Sequence, residues 1–188
     1  MSMPCARCFA DCCRQSHVVL SAQEAVAIAA AQQLPLAAFV ALVPRSEPEG
    51  LFRILLPGPT PDTRVYCRMQ LRRVPAQTEN LRCVFLLEQT PPVRCGIYPQ
   101  RPRACHLFPH LCDGDRPRLH KLAKVYCPPG AWDAEPIDVP RHRLLRQQQD
   151  AERARFDQAI DEWNDLQYQT LADETAWFAF LLQRFSVE

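Results

Sequence analysis

The sequence contains little lysine, little net charge and no long uninterrupted apolar run. Lys121 and Lys124 are the only lysines among 22 basic residues, and the formal net charge is +1. The arginines form no continuous basic stripe, so no nucleic-acid-binding surface is predicted. The longest apolar run, residues 25–43, is interrupted by two glutamines and a proline and does not predict a membrane span. No apolar segment typical of a secretory signal precedes the first cysteine, so we expect a cytoplasmic protein.

Enzyme signatures are absent as well. The sequence has no Gly-rich phosphate-binding loop, no HExxH motif and no nucleophile elbow. Cysteine and histidine both occur, but no spacing pairs a cysteine nucleophile with a base. The sequence therefore does not predict an enzyme, and redox chemistry that depends on the cysteines is the main catalytic alternative.

Cysteine, in contrast, is abundant, with ten residues in a chain of 188. The apolar fraction of 47% is enough for a hydrophobic core, so disulfides are not needed to compensate for a small one. In a reducing compartment, clustered cysteines are typical of metal sites rather than of disulfide frameworks. We therefore interpret the cysteines as metal ligands.

The first cluster holds four cysteines in nine residues, Cys5-Ala-Arg-Cys8-Phe-Ala-Asp-Cys12-Cys13. If this segment is helical, Cys5, Cys8 and Cys12 share one face and Cys13 points aside. If it is a loop, Cys5 and Cys8 form the knuckle typical of zinc and iron–sulfur sites. The sequence leaves both conformations open.

The second cluster is Cys95-Gly-Ile-Tyr-Pro-Gln-Arg-Pro-Arg-Ala-Cys105-His-Leu-Phe-Pro109. Pro102 predicts the start of a short helix, because the first N–H of a helix is unbonded in any case, and Pro109 predicts its end. The segment is therefore predicted to be a tight loop and one helical turn that present Cys95 and Cys105. His106 is an alternative nitrogen ligand, for a site of three cysteines and one histidine.

Four cysteines lie outside these two clusters. Cys83 is in a predicted strand, and Cys127 is predicted at the end of another strand, before two prolines. Cys67 lies on the apolar face of an alternating segment and is predicted to be a core residue. Cys112, in a predicted turn, is interpreted either as a spare ligand or as a surface thiol.

The remaining pattern predicts an α+β fold. A capping box at Ser21–Glu24 predicts a helix over residues 22–32, and Pro35 predicts a second helix over residues 35–43. Segments with β-rich composition or strict alternation predict a small antiparallel sheet and one further strand. These strands are predicted at residues 51–56, 64–74, 81–87 and 118–126. The expected architecture is a small antiparallel sheet with an N-terminal cysteine cluster loop, two helices before the sheet and a C-terminal helical extension.

The C-terminal part is predicted to be helical. Residues 141–169 are rich in charge and free of proline and glycine, with Phe156, Ile160, Trp163 and Leu166 at helical spacing. A last helix, residues 173–185, carries six large apolar residues that must be covered by the domain or by a protein partner. They are Trp177, Phe178, Phe180, Leu181, Leu182 and Phe185. We therefore predict a metal-binding domain at residues 1–135 and a helical extension at residues 136–188 packed on it.

The arrangement of the cysteines resembles the YkgJ-like cysteine-cluster family, also described as the CxxCxxCC or zinc/iron-chelating domain family. The matching features are the N-terminal cluster ending in Cys12-Cys13, the segment Cys83-Val-Phe-Leu, the whole second cluster, and Cys127-Pro. The resemblance covers residues 5–130, and three residues rather than two separate Cys8 from Cys12. It implies eight metal ligands, namely Cys5, Cys8, Cys12, Cys13, Cys83, Cys95, Cys105 and Cys127.

The resemblance implies binding of a metal ion, as zinc or as an iron–sulfur centre. Eight thiolates are about twice what one tetrahedral zinc ion or one four-iron cluster needs, so two centres, or one centre with a redox pair, would use them all. One alternative is an iron–sulfur protein that assists redox or methyl-transfer reactions. Another is an adaptor that binds a protein partner through the last helix.

Arginines beside the cysteines are candidate N–H···S donors to a metal site. They are Arg7, Arg14, Arg94, Arg101 and Arg103. We expect Arg101 to affect metal occupancy most.

Overall fold

A computed structural model describes residues 10–45, 53–60, 62–76, 80–88, 94–113, 116–130, 132 and 137–186. The helices are α1 (Asp11–Gln15), α2 (Ala22–Gln32), α3 (Leu36–Phe39), α4 (Arg103–Leu107), α5 (Ala123–Tyr126), α6 (Val139–Gln169) and α7 (Glu174–Phe185). The strands are β1 (Val40–Pro44), β2 (Ile54–Pro57), β3 (Arg64–Leu71), β4 (Arg73–Pro75), β5 (Leu81–Cys83), β6 (Leu86–Leu87), β7 (Arg94–Cys95), β8 (His110–Asp113) and β9 (Arg116–Leu119). None of the described helices is both long enough and apolar enough to cross a membrane.

The α+β class is confirmed, but the strands form several small sheets instead of one. One sheet has three strands in the order β1–β3–β2, and the pairs β4–β5, β6–β7 and β8–β9 form two-stranded sheets, all antiparallel. The predicted strand 64–74 is interrupted at Arg72, whose backbone N–H donates to the carbonyl of Phe39 at 2.7 Å. The predicted strand 81–87 is divided by a turn at residues 84–85.

The described residues fall into two compact units, each built from segments distant in sequence. Unit 1 comprises the described parts of residues 1–18 and 73–149, and unit 2 those of residues 19–72 and 150–188. The division at residue 135 into a metal-binding domain and a helical extension stays a prediction.

Unit 2 has a core of large aromatic and aliphatic side chains. The capping box of α2 is present, with the Ser21 hydroxyl accepting from the Glu24 N–H and the Glu24 carboxylate accepting from the Ser21 N–H. Trp163 of α6 donates from Nε1 to the carbonyl of Leu55 in β2 at 2.8 Å. Its ring packs edge-on against Trp177 of α7 at 5.1 Å. Because both indoles are buried, they anchor the two C-terminal helices.

The predicted helix over residues 35–43 is wrong beyond Phe39, where the chain becomes β1. Val40 pairs with Leu71 and Pro44 pairs with Cys67 of β3. Backbone pairing with β3 and the β-branched residues of β1 favour the strand here over the helix that Pro35 and the alanines suggest. Leu36 and Phe39 are buried, so the single turn of α3 contributes to the core.

The long charged helix is confirmed as α6, although one predicted core position is wrong. Phe156, Ile160 and Trp163 are buried, as predicted, whereas Leu166 is 43% exposed. Gln167 is buried in its place and donates from Nε2 to the carbonyl of Ala172 at 2.8 Å. The chain turns towards α7 here, so a polar side chain that bonds this turn occupies the buried position.

The last helix is also confirmed, and most of its apolar surface is covered within unit 2. Asp173 caps α7 by accepting from the N–H of Ala176 at 3.0 Å. Four of its six large apolar residues are buried, whereas Leu182 is 41% exposed. The four are Trp177, Phe178, Leu181 and Phe185.

The predicted strand over residues 118–126, in unit 1, is only partly correct. β9 ends at Leu119 and the chain continues as the short helix α5. A turn after His120 leads into this helix, because the His120 carbonyl accepts from the Ala123 N–H at 2.8 Å and its Nδ1 accepts from the Leu122 N–H at 3.0 Å. Cys127 therefore follows a helix rather than a strand, and Cys112, predicted in a turn, lies in β8.

Candidate metal centre

The eight predicted ligands divide into two that lie outside the described residues and six that unit 1 contains. Cys5 and Cys8 are the two outside. The six are Cys12 and Cys13 on α1, Cys83 at the end of β5, Cys95 at the end of β7, Cys105 in α4 and Cys127 directly after α5. All six are thiols rather than disulfides.

Five of these thiols lie close enough to affect one another's ionisation. Burial is the largest cause of the raised pKa of Cys105, and negative charge on Cys12, Cys83 or Cys95 raises this pKa further. Burial is also the main cause of the raised pKa of Cys83, with a smaller contribution from charge on Cys95. Charge on each of these sulfurs acts on others of the group, and α1 packs against β5, so thiols from α1, β5, β7 and α4 lie near one another in unit 1. We call Cys12, Cys13, Cys83, Cys95 and Cys105 the cysteine cluster.

Cys12 and Cys13 affect each other's ionisation more than any other residue does. Interaction with the Cys13 side chain lowers the pKa of Cys12 to about 7, although burial opposes this shift. The same interaction, followed by burial and by charge on neighbouring sulfurs, raises the pKa of Cys13. The pair therefore loses one proton easily and the second only with difficulty, unless a cation offsets the added negative charge.

The described part of the N-terminal cluster is helical. Ala10, at φ 59°, has left-handed backbone and its carbonyl accepts from the N–H groups of Cys13 and Arg14 at 2.9 and 3.2 Å. The Ser16 N–H donates to the Cys12 carbonyl at 2.8 Å and closes the helix. The choice between helix and loop is thus resolved as helix for Cys12 and Cys13 only.

Cys83 is presented by the β4–β5 hairpin. It lies directly opposite Arg73 in the antiparallel ladder and is 9% exposed. Its pKa is raised mainly by burial, whereas a backbone hydrogen bond at Phe85 and the positive charge of Arg73 lower it. Arg73 is the arginine beside the cluster that sequence reasoning missed, because only the strand pairing places it next to Cys83.

The second cluster folds as predicted, into a tight loop and one helical turn. The Gly96 N–H donates to the carbonyl of Phe85 at 2.8 Å, and a Cβ on Gly96 would lie only 3.3 Å from that oxygen. Pro102 precedes α4 and accepts from the N–H of Cys105 at 2.8 Å. The helix ends at Leu107, and the Phe108–Pro109 peptide bond is cis.

Arg101 stacks on an aromatic ring and bonds His106. Its guanidinium carbon lies 4.2 Å from the centroid of the Tyr98 ring, and its Nε donates to His106 Nδ1 at 3.2 Å. Burial and then the charge of Arg101 lower the pKa of His106 to about 4, so the imidazole is neutral at neutral pH. Because Nδ1 accepts, the proton is on Nε2, and this arrangement leaves no ring lone pair for a metal.

The remaining cysteines and arginines have other positions. Cys67 belongs to unit 2, is 4% exposed, and has its pKa raised to about 11 by burial and by the charge of Glu174. Its predicted role as a core residue is confirmed. Arg14 is ion-paired with Glu88 at 3.3 Å. Arg7 and the side chain of Arg94 lie outside the described residues.

The donor chemistry of the cluster suits zinc or iron, but its sulfurs are not arranged as in a loaded site. Thiolates are the usual ligands of structural zinc and of iron–sulfur clusters. In the part of the chain that the structure describes, no group of three or more His, Cys, Asp and Glu side chains is placed to hold a metal ion.

Comparison with known proteins gives one match. No curated protein and no solved structure matches the chain. Residues 4–128 match the profile of a family described as a candidate zinc- or iron-chelating domain, with the signature CxxCxxCC. The match includes all the described thiols of the cysteine cluster as well as Cys5, Cys8 and Cys127. Since it covers most of the chain, the protein belongs to the CxxCxxCC family.

Proposed function

We propose that the protein binds zinc or an iron–sulfur centre through cysteine thiolates in a reducing compartment such as the cytoplasm. The cysteine cluster forms the core of the site, and Cys5, Cys8 and Cys127 complete the ligand set. The observation that carries this proposal is the convergence of five thiols from four separate elements of unit 1. The family match, with its description of zinc or iron chelation, supports it.

The charges of the cluster favour a bound cation. Each thiolate raises the pKa of its neighbours, so several thiols cannot ionise together without compensation. A zinc ion held by four thiolates still carries a net charge of about −2. Arg73 and Arg101 lower the pKa of Cys83 and Cys105, respectively, and are positioned to offset part of that charge.

Metal binding in this arrangement would stabilise unit 1. The cluster joins an N-terminal helix to a hairpin and to the loop and helix of residues 95–107, which lie far apart in sequence. A metal bound by all three segments, when present, supplies a crosslink between them. Binding free energy is then also folding free energy.

The alternatives differ in their support. A redox or methyl-transfer accessory role requires an iron–sulfur centre and therefore depends on the identity of the metal. An adaptor role for α7 has less support, because four of its six large apolar residues are buried in unit 2. We rank structural or chelating metal binding first.

Elemental analysis and a visible spectrum of protein purified without oxygen test the proposal. Zinc without colour supports a structural or chelating site, and iron with sulfide and absorbance near ~400 nm supports an iron–sulfur centre. Cys105→Ser should lower the metal content, whereas Cys67→Ser, a change of a buried thiol in unit 2, should not. Wild-type protein that contains no zinc or iron and takes up neither on reconstitution would overturn the proposal, as would equal loss in both variants.

A further inference from the structure

We propose that Arg73 is a positioning residue that holds α1 against β5 and thereby positions three thiols of the cysteine cluster. The two elements carry three members of the cysteine cluster, Cys12 and Cys13 on α1 and Cys83 on β5. The inference rests on the proposed metal-binding function for its biological meaning, but the contacts themselves involve no metal.

The guanidinium of Arg73 binds backbone carbonyls of both segments. Its NH1 donates to the carbonyl of Ser16 at 2.8 Å, just after α1. Its NH2 donates to the carbonyl of Arg14 in α1 and to the carbonyl of Leu81 in β5. The last carbonyls of a helix have no partner within the helix, so this side chain satisfies groups that would otherwise need water. One side chain thereby joins the end of α1 to the start of β5.

Strand register explains why Arg73 can do this. Arg73 and Cys83 are directly opposite in the β4–β5 ladder, and directly opposite residues have side chains on the same face of a sheet. The guanidinium charge is also close enough to lower the pKa of Cys83. The residue that binds the carbonyls of α1 is thus next to the thiol of β5.

A second, independent contact joins the same two segments. Glu88, which follows β6, pairs with Arg14 of α1 at 3.3 Å and with Arg82 of β5 at 3.0 Å. The Glu88 side chain is only 12% exposed, so this carboxylate is less screened by water than a surface ion pair. Together with Arg73 it fixes the position of α1 relative to β5, the two elements that carry three of the five cluster thiols.

The chemistry requires arginine at position 73. A planar guanidinium has five N–H donors in a fixed arrangement and can bind several carbonyls at once, whereas the ammonium of lysine is a compact point charge. Lysine at position 73 keeps the charge beside Cys83, but its single nitrogen replaces two separated guanidinium nitrogens and does not reproduce their arrangement of hydrogen bonds. Arg73→Lys therefore separates the effect of the hydrogen bonds on the position of α1 from the effect of the charge beside Cys83.

The experiment compares Arg73→Gln and Arg73→Lys with a matched control, Arg72→Gln. Arg72 also donates to two backbone carbonyls, those of Ala37 and Val40, but within unit 2. Amide hydrogen exchange is measured in chelator-treated protein, and zinc affinity is measured by competition with a chromophoric chelator.

We expect Arg73→Gln to speed exchange of the Cys13, Arg14 and Ser16 amides by about tenfold, the effect of losing a hydrogen bond to a charged group. It should weaken zinc binding by about 10- to 100-fold, as loss of a residue that orients ligands does elsewhere. Arg73→Lys should recover only part of the amide protection and part of the zinc affinity. Arg72→Gln should speed exchange in β1 and leave zinc affinity unchanged.

Two outcomes would overturn the inference. One is unchanged exchange of the α1 amides in Arg73→Gln, and the other is full recovery of both properties by Arg73→Lys, which would leave charge alone as the explanation. Failure of wild-type protein to bind zinc would instead contradict the proposed function if iron also failed to bind, while the exchange data would still decide the role of Arg73.

Discussion

Cys12 and Cys13, adjacent in the short helix α1, affect each other's ionisation more than any other residue does. Interaction between the two side chains lowers the pKa of Cys12 to about 7 and raises that of Cys13. A thiolate is the form that binds metal, and the lowered pKa favours that form at Cys12.

Removing the Cys13 thiol tests its effect on the pKa of Cys12. In metal-free Cys13→Ala, burial is the largest remaining influence on Cys12 and disfavours the thiolate, so the pKa of Cys12 should rise from about 7 to above its ordinary value. The measurement is the pH dependence of Cys12 alkylation, followed by mass spectrometry. Cys67→Ala, which removes a thiol from unit 2, should leave the midpoint in place. A midpoint that does not move in Cys13→Ala would show that the Cys13 side chain is not the cause of the lowered pKa.

Arg101 and His106 should affect metal binding differently. Arg101→Ala removes a positive charge that lowers the pKa of Cys105 and should weaken metal binding by about tenfold or more. His106→Gln should keep the metal content of wild-type protein, because His106 Nδ1 accepts from Arg101 and a glutamine oxygen can do the same. Metal equivalents are measured after dialysis against a competing chelator. Loss of metal in His106→Gln would instead identify the histidine as a ligand.

Removal of the metal should loosen unit 1 more than unit 2. We expect the amides of Gly96 and Cys105, which donate to carbonyls within the cluster segments, to exchange faster after chelation. The Leu20 amide, which donates to Met69 in unit 2, should keep its protection. Hydrogen exchange with mass spectrometry measures the protection of all three amides. Adding back zinc or iron should restore the protection of the Gly96 and Cys105 amides. Identical protection with and without metal would contradict the link between binding and folding.

Two adjacent leucines test whether α7 is covered within the chain. Leu181 is fully buried, so Leu181→Ala should lower the free energy of unfolding by about 2–5 kcal/mol. Leu182 is 41% exposed, so Leu182→Ala should change the free energy of unfolding by less than about 0.5 kcal/mol. Urea unfolding followed by tryptophan fluorescence measures both. A small effect of Leu181→Ala would contradict the burial of this side chain within unit 2.

Two adjacent glutamines test the end of α2. Gln33 has left-handed backbone at φ 53°, which is unfavourable for a residue with a Cβ, so Gln33→Gly should stabilise unit 2 by about 0.5–1 kcal/mol. Gln32 is the last helical residue, and Gln32→Gly should destabilise it by a similar amount, about 0.5–1 kcal/mol. Thermal unfolding measures the two shifts. Shifts of the same sign would contradict the assigned backbone conformations.

Local signals in the sequence were sufficient for the elements that depend on near neighbours. The capping box predicted α2, the apolar period predicted α6 and α7, and the two prolines predicted α4. Two predictions failed for different reasons. Pairing of β1 with the distant strand β3 replaced the end of a predicted helix. Local hydrogen bonds from residues 122 and 123 to His120, which the alternating pattern did not indicate, replaced the end of a predicted strand.

The sequence by itself determined the chemistry of the site. The ten thiols are soft ligands that occur in clusters, and proline and glycine fix how two of them are presented, so the expectation of soft-metal binding follows from residue type and local spacing. Which thiols converge, and which charges face them, was decided only by the tertiary structure. Cys67 lies in unit 2 and Arg73 lies opposite Cys83 because of strand pairing, and pairing depends on contacts between segments that no local pattern contains.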